Sequence, residues 1–171
     1  MNIESLQSNI TKLAFELPGQ VYRSPLPFGV FDSENKVFDL WKDAQIDEVY
    51  SLIQPKEWTQ KAWQDPRPMI LEAGMMIKNY PIMDFWVPDD HVTFTKIVAM
   101  ALNSAKSGKN IIVHCNAGWG RTGLFLTEMA ISHFGFGVDE AVKWVRQFVP
   151  PAVENEDQYQ FLVDLHNNTT N

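Results

Sequence analysis

Residues 110–122 read Asn110-Ile111-Ile112-Val113-His114-Cys115-Asn116-Ala117-Gly118-Trp119-Gly120-Arg121-Thr122, and the apolar run Leu124-Phe125-Leu126 follows. An apolar run, a glycine-containing turn and a second apolar run spell strand, tight loop and helix. A loop closing onto a helix N-terminus gathers backbone N–H groups with no intrahelical partner, and these converge on an anion. Cys115, the one cysteine of the chain, supplies a nucleophile. Arg121 supplies a planar fork matched to phosphate oxygens. A thiol attacks only as thiolate, and at the reference value of ~8.5 about 3% is ionised at pH 7. N–H dipoles, a helix N-terminus and an arginine each favour the anion, so the surroundings of Cys115 suit attack on phosphorus. Gly118 and Gly120 allow the backbone to turn its N–H groups inward.

Working outward, the segment from Pro88 onward is the clearer half. Asp89 and Asp90 precede an apolar stripe at Phe94, Ile97, Val98, Ala101, Leu102 and Ala105, which predicts a capped helix. Gly108-Lys109-Asn110 turns into the strand before Cys115. The helix expected over Gly120 to about Phe134 is apolar on most sides and should be central. Val138 to Arg146 predicts another helix, with acids first and bases last, and Glu154 to Leu165 predicts the final one. Upstream, strands are expected at Gln20–Arg23, Asp47–Ile53 and within Met75–Ile82. Helices are expected over about 33–44 and over Pro68–Ala73, the latter opened by proline; Pro55–Trp63 is helical or irregular. Strands alternating with helices make a single α/β domain. A lead-in over 1–19, loosely attached, one domain over 20–167 and a tail over 168–171 complete the expected organisation.

Composition narrows the function. A net charge of −7 argues against nucleic acid or an acidic membrane as main partner. No apolar run approaches the ~20 residues that span a bilayer, and Met1–Ser5 lacks the pattern of a secretory leader. A lone cysteine fits a reducing compartment, the cytoplasm. Six tryptophans and eleven phenylalanines forecast an aromatic-rich interior. The remaining histidines show no metal-ligand spacing, and cysteine plus arginine already cover attack and charge stabilisation, so no metal or cofactor is expected. The oligomeric state is not legible.

HCNAGWGRT resembles the Cys-x5-Arg-Ser/Thr signature loop of the protein-tyrosine and dual-specificity phosphatase superfamily, in particular the small dual-specificity type and its kinase-associated branch. Usages of a few per cent for each of His, Cys, two Gly, Arg and Thr multiply to on the order of 10⁻⁸ per window, so chance is a poor account of the match. The resemblance covers roughly residues 20–167. It implies a dual-specificity-phosphatase-like fold, with a central, mostly parallel sheet flanked by helices. It also implies that Cys115 forms a phosphocysteine intermediate, that Arg121 binds phosphate and transition state, and that Thr122 hydrogen-bonds the sulfur. His114 would brace the loop, and the amides of Asn116, Ala117, Gly118, Trp119, Gly120 and Arg121 would cradle the phosphate.

The leaving oxygen needs a proton, and relatives carry an aspartate in a Pro-Ile-x-Asp pattern before a helix. Pro81-Ile82-Met83-Asp84 matches and nominates Asp84, with Asp89 and Asp90 as alternatives. Phe85-Trp86 stands where relatives often have two glycines. Pro151 to Gln158 resembles the segment bearing a glutamine that reaches the hydrolytic water, which nominates Gln158, with Gln160 second. Trp86 and Trp119 are candidates to wall the cleft, and Tyr22-Arg23-Ser24 to approach it. The implied substrate is a phosphoprotein bearing phosphotyrosine, with phosphoserine or phosphothreonine as further candidates. Three alternatives stay open: a phosphoinositide or inositol phosphate phosphatase, disfavoured by the lack of lysine between Cys115 and Arg121; a phosphate-binding module without turnover; and a sulfurtransferase or arsenate reductase, the latter lacking a second cysteine.

Overall fold

A computed structural model describes residues 9–167. Its strands are β1 (Thr11–Leu13), β2 (Val21–Ser24), β3 (Glu48–Ser51), β4 (Met76–Asn79) and β5 (Ile111–His114). Its helices are α1 (Val37–Asp43), α2 (Glu57–Gln60), α3 (Arg67–Glu72), α4 (His91–Lys106), α5 (Gly120–Phe134), α6 (Val138–Arg146) and α7 (Glu156–Asn167). The sheet runs β1-β2-β5-β3-β4, with β1 antiparallel to β2 and every other pairing parallel. This is the α/β architecture expected from the sequence.

The strand sequences follow from position in the sheet. β5 is central, covered on both faces, and reads as an unbroken apolar run with all four residues buried. β3 is likewise buried throughout, whereas β4 at the edge leaves Met76 and Asn79 exposed. Helix α5 is buried over its first three turns and is packed by α4, α6 and α7. Gly135 ends it in the left-handed conformation, its N–H reaching Ile131 O at 2.9 Å. Aromatic clusters tie these helices together: Phe15, Phe134 and Trp144 on one side, and Phe94, Phe125 and Phe161 on the other.

Some boundaries differ from expectation, each for a local reason. The stretch 1–19 is no loose lead-in as far as it is described. Thr11–Leu13 pairs with Val21–Arg23, and Leu13 and Phe15 are buried. Residues 1–8 and the tail 168–171 lie outside the described residues. The helix expected from about 33 starts at Val37, because Asp32 holds the preceding turn. Its carboxylate accepts from the N–H groups of Phe28 (2.9 Å), Lys36 (3.0 Å) and Val37 (3.3 Å). The last helix starts at Glu156 instead of Glu154, since Asn155 caps it by accepting from Gln158 N at 2.9 Å. Asp90, not Asp89, caps α4, accepting from Val92 N and Thr93 N.

Candidate active site

Strand β5 ends at His114, and the next seven residues wrap into the start of α5. Parallel sheets place ligands beyond the carboxyl ends of their strands, and this loop leaves the carboxyl end of the central one. Cys115 is 3% exposed, and its Sγ accepts the N–H of Gly118 at 3.2 Å. Gly118 has φ +73°, and a Cβ there would stand 2.2 Å from Ser24 O and 2.3 Å from the Arg23 guanidinium, so only glycine fits. His114 sits behind the loop between the rings of Trp41 and Trp58, its Nδ1 3.2 Å from Cys115 O. Burial pushes its pKa down to about 4 and keeps the ring neutral at pH 7.

Two buried arginines hold the loop. Arg23 on β2 donates from Nε to Gly118 O (3.1 Å) and from Nη2 to Ala117 O (2.7 Å). Fully buried behind the loop, it braces the backbone and does not approach the cleft as the sequence had suggested for Tyr22-Arg23-Ser24. Arg121, on the first turn of α5, faces carboxylates. Its Nη1 donates to Glu57 Oε2 (2.9 Å) and Ile82 O (2.9 Å), and its Nη2 to Glu57 Oε1 (3.2 Å). The same Nη2 lies 2.7 Å from Asp84 Oδ1. Burial works against the Arg121 charge, but Cys115, Glu57 and Asp84 outweigh it and hold the proton above the ordinary arginine range. Its Nε is buried and makes no hydrogen bond.

Asp84 therefore stands against the arginine of the loop. Its other oxygen pairs with Lys61, which also reaches Glu57 Oε1 at 3.2 Å. Burial of Glu57 favours its neutral form, yet the bonds from Arg121 and Gln54 N–H hold it below the usual carboxylate range. Phe85 follows with φ +62°, adopting in a bulky residue the left-handed turn that glycine enters freely. Helix α7 and its cap fasten this turn: Asn155 Nδ2 donates to Phe85 O (3.0 Å) and Gln158 Nε2 to Trp86 O (3.4 Å). The rings of Phe85 and Trp86 are exposed, while Trp119 is half-buried with Phe31 edge-on against it at 5.2 Å.

Several nominated residues land elsewhere than the sequence implied. Thr122 is buried, and its Oγ1 makes no hydrogen bond; the donor to the sulfur is the Gly118 N–H. Gln158 is fully buried, and its amide bridges backbone, Oε1 accepting from Glu154 N (3.1 Å) while Nε2 reaches Trp86. In this structure that amide holds the turn. Gln160 bonds Asp164 on the exposed face of α7. Asp90 is spent on its cap. Glu57, Lys61 and Glu154 were missed. The Glu57–Lys61 spacing of four residues was the available signal for the first two. Among the described residues, no group of three or more metal-binding side chains gathers, and no helix is long and apolar enough to cross a membrane.

The site therefore joins a buried thiol that accepts a loop N–H to an arginine fork held between two carboxylates. The sequence profile of the protein-tyrosine phosphatase family matches residues 42–168, and the chain belongs to that family. It is 28% identical over 106 residues to protein tyrosine phosphatase domain-containing protein 1 of Danio rerio, and 27% over 106 residues to that of Bos taurus. These matches take in 57% of this chain and only 14% and 13% of those longer relatives. In fold it resembles kinase associated phosphatase carrying a serine in place of its catalytic-site cysteine (TM-score 0.80, 16% identity, 94% of each chain). It also resembles Tk-PTP in its active form (TM-score 0.73, 23% identity, 92% and 97%) and PTPMT1 in complex with PI(5)P (0.69, 19%, 88% and 92%).

Proposed function

We propose that this protein is a metal-independent phosphomonoesterase acting on phosphotyrosine in proteins, and on phosphoserine or phosphothreonine as well, through a phosphocysteine intermediate. The observation that carries this reading is Arg121: buried, gripped at one end by Glu57, within electrostatic reach of Cys115, and with an Nε that makes no hydrogen bond. An unmet buried donor costs about 1–3 kcal/mol, and a phosphate oxygen satisfies it.

In the first step the Cys115 thiolate attacks phosphorus in line. The P–O bond to the substrate breaks and Asp84 delivers its proton to the departing oxygen. The loop amides from Asn116 to Arg121, with the Arg121 fork, hold the three equatorial oxygens as charge spreads onto them. In the second step water attacks phosphorus, the P–S bond breaks, and Cys115 recovers its electron pair as inorganic phosphate leaves. Asp84, now a carboxylate, is available to take the water's proton.

A phosphoprotein substrate is favoured over a polyphosphorylated inositol because the site holds little free positive charge. No lysine lies between Cys115 and Arg121, and Lys61 is held by Asp84 and Glu57. A lone reactive thiol suits the reducing cytoplasm. The test is phosphate release, without added metal, from an aryl phosphate, a panel of phosphopeptides and phosphoinositide vesicles. Turnover of phosphotyrosine peptides that falls by about 10³-fold or more in Cys115→Ser is expected. Activity surviving that substitution, or confined to the lipid, overturns the reading.

A further inference from the structure

The turn between α6 and α7 contains a strained residue with a clear geometric effect. Val153 has φ +54°, a region that β-branched residues enter at real cost, and it is 3% exposed. The strain is held in place from two sides. Arg146 donates from Nε to Ala152 O and from Nη2 to Val153 O, both at 3.0 Å. Ala152 packs so tightly on α5 that a Cβ at Gly123 would stand 2.6 Å from its Cα. The residue that follows this bend is Glu154, whose N–H is fixed by Gln158 Oε1.

The bend lays the Glu154 side chain on the signature loop. A Cβ at Gly120 would stand 1.7 Å from Glu154 Oε1 and 2.4 Å from its Cδ, so the glycine before Arg121 is in effect the seat of this carboxylate. Glu154 is at the same time exposed to solvent. Asp84, across the site, has Oδ1 on Arg121 and Oδ2 on Lys61. Gln158 is committed to backbone. Glu154 touches the loop at Gly120 and reaches solvent, and unlike Asp84, whose oxygens are taken up by Arg121 and Lys61, it forms no ion pair among the described residues.

We propose that Glu154 is a further catalytic residue, holding the hydrolytic water for the second step and taking its proton. The water oxygen forms its bond to phosphorus, the P–S bond breaks with its electron pair returning to Cys115, and the water's proton passes to Glu154 and then to solvent. Asp84 keeps the first step, delivery of a proton to the leaving group; Glu154 takes its place as acceptor in the second, and Asp84 regains its proton from solvent. Partial desolvation of the carboxyl where it lies on the loop, and then the neighbouring Asp84, hold it above the usual carboxylate range against the opposing pull of Arg121 and Gln158, which suits a proton acceptor. This inference rests on the phosphocysteine reading.

Rapid-quench kinetics with an aryl phosphate separate the two. In Glu154→Ala a burst of phenolate close to one per enzyme is expected at the wild-type rate, followed by steady turnover about a hundredfold slower, with phosphocysteine accumulating. Glu154→Gln has nearly the same shape, guards against a folding defect, and is expected to slow the second step with the alanine variant. Unchanged turnover in either variant, or equal loss of burst and steady state, overturns the role of Glu154. A wild-type enzyme that turns over yet forms no phosphocysteine, trapped by acid and seen by mass spectrometry, overturns the underlying reading instead.

Discussion

Arg23 and Arg121 are buried to the same degree, both within 1% exposure, and both grip one loop, yet their charges meet opposite fates. Arg23 meets carbonyl oxygens, and burial pushes it down to about 10 against an opposing pull from Cys115. Arg121 feels the same pull from Cys115 but also meets two carboxylates, and together these hold it above the ordinary range despite its burial. Burial by itself therefore says little about a buried cation; the partner decides. The contrast also divides labour. A carbonyl partner is fixed in the backbone, so Arg23 sets the shape of the loop. A carboxylate partner on a separate turn can give way to another anion, so under the proposed function Arg121 is the arginine that would exchange Asp84 for phosphate.

Substitutions probe this division, in descending order of expected effect. Glu57→Gln leaves the Arg121 charge buried beside a neutral amide; about 3–5 kcal/mol of stability should be lost. That is roughly a 10 °C fall in Tm by calorimetry, and a loss of less than about 1 kcal/mol would mean the pair is not what anchors Arg121. Arg121→Lys keeps the charge but removes the fork. The kcat for an aryl phosphate should fall about 10²–10³-fold with the fold intact by circular dichroism, and a drop under about tenfold would make the two arginines equivalent.

The rear of the loop adds a pH signature through His114. Its pKa is about 4 folded against 6.5 ordinarily, so the unfolded chain binds more protons in between. Stability present above pH 6.5 should decline as the pH falls and be lost through pH 4, by on the order of 3 kcal/mol in urea titrations. A flat profile over that window would show that the ring is not buried neutral. Arg23→Lys should act most gently, removing a carbonyl bond for about 1–3 kcal/mol while kcat falls less than in Arg121→Lys. The reverse ranking of those two kcat values would invert the division.

The loop was legible because its residues are contiguous: cysteine, glycines and arginine lie within seven residues, bracketed by a strand and a helix. The α/β alternation and the Asp90-capped α4 were legible for the same local reason. The rest of the site is assembled across the chain. Glu57 and Arg121 are 64 residues apart, and Arg23 and Gly118 are 95 apart, so no window contains both partners. Glu57 fell in a stretch with no clear period because α2 is a single turn. Gln158 was nominated from its surrounding pattern, but the left-handed bend at Val153 turns Glu154 to the loop and Gln158 inward, and no one-dimensional spacing reports such a bend. Thr11–Leu13 was missed because a three-residue edge strand carries too little alternation to register.

The central place of β5 has a consequence for what solvent can reach. Its backbone amides are bonded on one side to β2 and on the other to β3. Deuterium should enter Ile111–His114 only when the whole domain opens, whereas the 83–87 turn, held by side-chain bonds from α7 and its cap, should take up label through small local openings. An anion that slows labelling of the turn and leaves the strand untouched would thus report engagement of the site without any readout of turnover.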